Sequence, residues 1–315
     1  MSDLVGSAQP RFGVQVASWP LGVPTAIGFY SELARHVEGE GFELFFAGDH
    51  IFGHNPIHES LTVLAYVAGA APSLTVGTGV LLLALREPVV TAKQLATIDQ
   101  LTGGRLIVGV GVGGEMEHEW RALGVPLDDR GARTDEYLGL VADLWSGDVV
   151  EHRGKFRIVQ GVQGSPVPAR VGGPPIWIGG RADAALRRAA RHDGWCAYAV
   201  TPRRVRESLV RLRELRAGSD DDGFRISLVL FCYVDDDEEH AREVAATVLT
   251  KRYHQDFDRY LDAFCAVGSL NTVAERVREY LDAGVQDVLL CPQAPADQVF
   301  DQVRRLAAVV TEARR

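Results

Sequence analysis

Four short, mainly apolar runs fall before residue 112, and each of the first three is followed by a segment with apolar residues at helical spacing. The runs are Phe12–Val16, Glu43–Ala47, Leu74–Leu83 and Arg105–Gly111, and the first three lead into helical segments at Thr25–Gly39, Leu61–Ala71 and Pro88–Thr102. Strands that are apolar throughout, rather than alternating, are covered on both faces, which is the mark of a parallel sheet wrapped by helices. The second half keeps the rhythm less cleanly. Strands are expected at Pro175–Ile178, Trp195–Tyr198, Ile226–Val234 and Asp287–Leu290, and helices at Thr134–Trp145, Asp183–Arg191, Pro202–Ala217, Thr272–Asp282 and Gln298–Arg314. Eight strand runs with intervening helices predict a closed (β/α)₈ barrel, and 315 residues suit one such domain spanning 1–315. Two stretches interrupt it: 149–171 reads as a hairpin and extended insertion, 237–266 as a longer helical one. The acidic runs Asp220–Asp222 and Asp235–Asp237 read as solvated loops.

With 46% hydrophobic and 24% charged residues the chain can bury a core without disulfides or metals. Its four cysteines lie far apart with no CxxC spacing and read as free thiols. A net charge of −9 argues against nucleic acid or anionic membrane as partner, since both select basic surfaces. No apolar run reaches membrane-spanning length and no signal peptide is visible, so a cytoplasmic protein is expected.

Barrel active sites lie at the C-terminal ends of the strands. There this chain places Gly48, Asp49 and His50; Gly77, Thr78, Gly79 and Val80; Gly111, Gly113, Gly114 and Glu115; and Gly179, Gly180 and Arg181. The last turn opens a helix, and bare amides beside a guanidinium suit a phosphate, although a plain strand-to-helix turn with a surface arginine reads equally well. GVGVGG (Gly109–Gly114) satisfies the dinucleotide pattern GxGxxG, but three strand–helix units precede it, and the acids Asp128 and Asp129 enter a helix rather than end a strand. His50, His54 and His58 have metal-ligand spacing, yet Gly53 and Asn55-Pro56 break the helix that would align them, so no metal is expected.

The run Val76–Gly124, with Asp129–Gly147, Pro174–Trp195 and Gly268–Leu290, closely resembles the bacterial luciferase-like flavin and deazaflavin oxidoreductases. The DH pair after the second strand and the form of GVGVGG are most similar to the branch using the deazaflavin coenzyme F-420. That resemblance implies that Asp49 and His50 lie beside the cofactor ring, with His50 and Glu115 in proton transfer or substrate polarisation. It implies a cis peptide at Gly79-Val80 behind the ring, Gly113, Gly114 and Glu115 following ring and tail, and Gly179, Gly180 and Arg181 holding the phosphate. The family's sugar-phosphate dehydrogenases carry a tryptophan where this chain has His54, which argues against that substrate class.

The leading expectation is hydride exchange between F-420 and a small organic substrate. The alternatives are an FMN monooxygenase fed by a separate reductase, and a non-catalytic barrel. Substrate choice is expected from 149–171, 237–266 and Gln15. Phe52, Trp120 and Trp195 read as mouth or core. Family members commonly form homodimers or homotetramers, and the same is expected here.

Overall fold

The computed structural model describes residues 9–19, 21–218 and 223–315; the expectations for the N-terminal segment and for Asp220–Asp222 lie outside them. The first half follows the predicted rhythm: β1 (Arg11–Val16), α1 (Phe29–Gly39), β2 (Leu44–Ala47), α2 (Ser60–Ala70), β3 (Thr75–Leu81), α3 (Pro88–Leu101), β4 (Leu106–Val110), α4 (Glu117–Ala122) and α5 (Arg130–Trp145). A hairpin of β5 (Val149–Arg153) and β6 (Ile158–Gln163) follows. Then come β7 (Ile176–Gly179), α6 (Asp183–Ala189), β8 (Gly194–Tyr198), α7 (Pro202–Leu215) and β9 (Arg225–Val234). The chain ends with α8 (Glu238–Tyr253), α9 (Leu261–Phe264), β10 (Cys265–Gly268), α10 (Leu270–Asp282), β11 (Asp287–Pro292) and α11 (Val299–Ala313).

The strands run in the order β11-β1-β2-β3-β4-β7-β8-β9, and pairing of β9 back to β11 closes eight parallel strands into a barrel. β9 is longer than its neighbours. Its lower half pairs with β8 and its upper half with the short β10, so the barrel wall rises on that side. The interior is filled, with Phe46 stacked on Trp177 at 5.8 Å among Leu44, Ile107, Val229 and Leu289. Close packing explains two strand glycines, one against the filling and one against the neighbouring strand's backbone. A Cβ on Gly77 would stand 2.4 Å from the Phe46 ring, and one on Gly109 would stand 2.1 Å from the Thr78 carbonyl oxygen.

Differences from the sequence reading have local causes. The first helix begins at Phe29 rather than Thr25 because Gly28 sits in left-handed backbone with φ 84°. The third strand stops at Leu81, not Leu83, because the Leu82 amide turns inward to a carboxylate and Leu83–Leu85 coils into a 3₁₀ turn. Helix α8 starts where expected, capped by the Asp237 carboxylate on the Glu239 and His240 amides. The 237–266 insertion ends in α9 and the strand β10, which the helical reading of that stretch did not anticipate. All four cysteines are buried free thiols. Trp120 and Trp195 are core, while Phe52 is half exposed.

Candidate active site

A cleft of about 1060 Å³, including its solvent mouth, opens at the C-terminal ends of the strands. That is the size class of a small-molecule site, and its place is the one the barrel favours. Its wall brings together Asp49, His50, Gly79, Val80, Gly113, Glu115, Gly179 and Gly180 from four separate strand ends. Gly114 and Arg181 stand outside this lining. Gly114 lies against Arg130, and Arg181 projects along the rim, donating to the Ala199 carbonyl at 3.2 Å.

The Gly79-Val80 peptide is cis. Val80 from β3 packs so tightly on β4 and β7 that a Cβ on Gly111 or Gly179 would stand 2.4 and 2.9 Å from its methyls. Gln15 spans the cleft floor from β1, donating to the Gly79 carbonyl at 2.6 Å, while its own Oε1 is buried without a partner. The Gly180 turn is fastened from below, where the Trp195 indole N–H donates to the Gly180 carbonyl at 2.7 Å.

His50 is held by a residue that the sequence reading did not single out. Its Nδ1 lies 3.1 Å from Oε1 of Glu119, a fully buried carboxylate on α4 whose Oε2 also accepts from the amides of Ile51 and Phe52. Glu115, the expected partner, is exposed at the rim. Burial opposes a charged imidazole, but the hydrogen bond and charge of Glu119, with Asp49 and Glu115 behind it, outweigh burial, and the His50 pKa stands above its ordinary value. Replacing Glu119 with glutamine keeps an acceptor and removes the charge. A proton NMR titration of His50 in that variant is expected to show its pKa lowered relative to the parent, because the opposing charge is gone while the burial remains. An unmoved titration would mean that Glu119 does not set the protonation of His50.

Asp49 faces the cleft with its backbone, but its carboxylate is committed elsewhere, to Arg86, Ser60 and the Leu82 amide. The three histidines of the DH loop diverge: His50 to Glu119, His58 to the Tyr30 hydroxyl at 2.9 Å, and His54 stacked on His254 with centroids 4.3 Å apart. Of the two insertions only the second reaches the site. Arg252 and Tyr253 at the end of α8 line the cleft, with Tyr253 hydrogen-bonded to Tyr198, and burial pushes both phenols' pKa values up. The β5–β6 hairpin and the segment after it pack against α3 and α5 instead: Gln100 donates to the Val167 carbonyl, the Arg170 amide to Asp99, and the Arg170 side chain to the Gly104 carbonyl. The expectation that 149–171 shapes substrate choice is therefore corrected.

Residues 15–287 match the luciferase-like monooxygenase family. An FMNH(2)-dependent dimethylsulfone monooxygenase of Pseudomonas putida is 32% identical over 236 residues, which cover 71% of this chain and 63% of that protein. Mb0965c of Mycobacterium bovis, an uncharacterized protein, is 35% identical over 161 residues, 51% of this chain and 55% of its own length. The chain thus spans between about half and two thirds of these relatives. In fold it is similar to the monooxygenase RslO1 of Streptomyces bottropensis, with TM-score 0.82, 22% identity and coverage of 96% and 98%. It is similar also to an F-420-dependent secondary alcohol dehydrogenase, with TM-score 0.82, 16% identity and coverage of 98% and 100%. The match over residues 15–287, on a barrel closed in this order, places the chain: it belongs to the luciferase-like monooxygenase family of oxidoreductases.

Proposed function

We propose that this enzyme is an F-420-dependent oxidoreductase acting on a small organic substrate at the barrel mouth. The observation that carries the reading is His50, part-exposed in the cleft and held by the buried Glu119. When bound, a deazaflavin supplies two-electron hydride exchange. Such an exchange with a carbonyl, alcohol or activated alkene leaves one proton to be delivered or removed at the substrate. His50, charged more readily than a free histidine and oriented by Glu119, is the group built to hold that proton.

The cleft fits a planar tricyclic ring. The Val80 methyls, packed over Gly111 and Gly179, present an apolar face for a ring to lie against, and the orphaned Oε1 of Gln15 offers an acceptor for a ring N–H. Gly179 and Gly180 provide amides for a phosphate, with Arg181 at the rim above them. Ile57, Leu82, Met116 and Phe231 add apolar surface to the lining, which strengthens electrostatic contacts inside.

The same features serve FMN, and the Pseudomonas putida relative supports a second reading, an FMNH(2)-dependent monooxygenase supplied by a separate reductase. Titration of the purified protein with F-420 and with FMN, oxidised and then reduced under anaerobic conditions, separates the two. Micromolar or tighter F-420 with FMN at least tenfold weaker, about 1.4 kcal/mol, is the expected outcome. The reverse preference would replace hydride transfer with oxygen insertion.

A further inference from the structure

Arg252 is a buried cation with no carboxylate partner. Only 6% exposed, it lines the cleft from the end of α8, and no acidic side chain among the described residues lies within salt-bridge distance. Its Nη2 donates to the Ser18 carbonyl at 3.1 Å, its guanidinium stands 5.8 Å from the Phe231 ring centre, and the Cys291 thiol lies beside it. Nε and Nη1 are buried without an oxygen or nitrogen acceptor, and the Cys291 sulfur offers only a weak one. A charge withdrawn from water with its donors so poorly met is costly unless something completes it.

Its place in the barrel indicates what that is. Arg252 sits over the arc of β9, β11 and β1, where Phe231, Cys291 and Ser18 are found. The cis peptide and the glycine turns that fit a cofactor occupy the arc of β3, β4 and β7, diametrically opposite in strand order. Near Arg252 are the rings of Phe231, Tyr253 and Tyr198, a largely aromatic surround at whose phenols the Glu115 charge is also felt.

We propose that Arg252 receives the acidic head of the substrate, so that the substrate class is an organic acid with an apolar body and a single carboxylate. Nη2 gives one hydrogen to the Ser18 carbonyl, and its second lies on an edge shared with one of the free donors, Nε or Nη1; that edge matches a carboxylate's two oxygens, the pairing arginine makes most strongly. This deepens the assignment of the cleft as the catalytic site and is independent of which cofactor it takes. The test is therefore run on the full chain with no cofactor added.

Calorimetric titration with butanoate, hexanoate and octanoate, against hexanamide and hexan-1-ol, reads head-group preference directly. Hexanoate is expected to bind at least tenfold more tightly than hexanamide. Arg252→Gln should weaken hexanoate on the order of 10- to 100-fold, as for loss of a hydrogen bond to a charged group, and leave hexanamide unchanged. Should that variant not fold, the wild-type side-chain Nε–H resonance of Arg252, assigned by its absence from Arg252→Lys, is expected to move with hexanoate and not with hexanamide. No binding by any of the acids, equal binding of acid and amide, undiminished hexanoate binding in Arg252→Gln, or an unmoved Nε–H resonance would each overturn the proposal. F-420 and FMN titrations on the same samples report the cofactor reading separately.

Discussion

Replacing His50 with alanine is expected to lower turnover by at least ~10²-fold, the usual share of a positioned acid or base. Cofactor affinity should change far less, because the wall formed by Val80, Gly111 and Gly179 does not involve the imidazole. Steady-state rates on an accepted substrate, with the cofactor titration run in parallel, check both halves. A variant turning over at wild-type rate would remove His50 from the chemistry. The pH dependence carries a sign of its own. The folded pKa of His50 is raised, so the protonated form survives above the ordinary histidine value of about 6.5 and is lost as pH rises through the raised value. Activity that needs the imidazolium therefore persists into that window and falls on its alkaline side. Stability follows the same linkage: the contribution of the His50–Glu119 charge pair is fully present below about pH 6.5 and disappears as pH rises through the folded pKa. Urea titrations should accordingly show the alanine variant losing more stability in mild acid than in mild alkali.

The barrel was legible because its signal is periodic. Unbroken apolar runs such as Leu44–Ala47 and Leu106–Val110 are best satisfied between layers, and the first three were followed by helical segments of adequate length. The strand-end residues were legible for a related reason, since the fold fixes where function must lie before any one residue is examined. His50, Gly79-Val80 and Gly179-Gly180 were found in that way and share one cleft. What the pattern could not give were partners made by tertiary contact. Glu119 lies in EHEW, whose three polar residues resemble a solvated helix start, and only packing of α4 under the DH loop buries its carboxylate. Arg252 sits in KRYH at the end of a helix whose charges read as surface, and it is turned inward by the position of α8 over β9. Gln15 was noticed for its place on the first strand, but its bond to the cis peptide carbonyl has no linear signature. A polar residue inside an apolar surround is visible in three dimensions and looks ordinary in one.

The same lesson gives the second large effect. Asp49 was expected beside the cofactor ring, yet its carboxylate is a structural clamp, and Asp49→Ala is expected to destabilise the fold by about 3–5 kcal/mol, the cost of breaking a buried ion pair. Oδ1 accepts from Arg86 Nη2 at 2.6 Å and from the Ser60 hydroxyl at 3.0 Å. Oδ2 accepts from the Leu82 amide at 2.9 Å and Arg86 Nε at 3.3 Å. One carboxylate thus ties the end of β2 to the start of α2 and to the turn after β3. Its removal leaves Arg86, only 10% exposed, with Glu59 as its remaining carboxylate, and leaves the Leu82 amide buried without an acceptor. Thermal unfolding should shift downward by on the order of 10 °C for a chain of this size. Asp49→Asn keeps one acceptor oxygen, enough for the Leu82 amide or the Ser60 hydroxyl but not for both, and loses the charge, so its loss should be intermediate. The double variant Asp49→Ala with Arg86→Ala should cost less than the sum of its parts, since each single change strands the other's partner. If Asp49→Ala melted within about 2 °C of the parent but lost cofactor binding, the carboxylate would belong to the ring and not to the scaffold, and the clamp that sets the geometry of the His50 loop would have to be sought elsewhere.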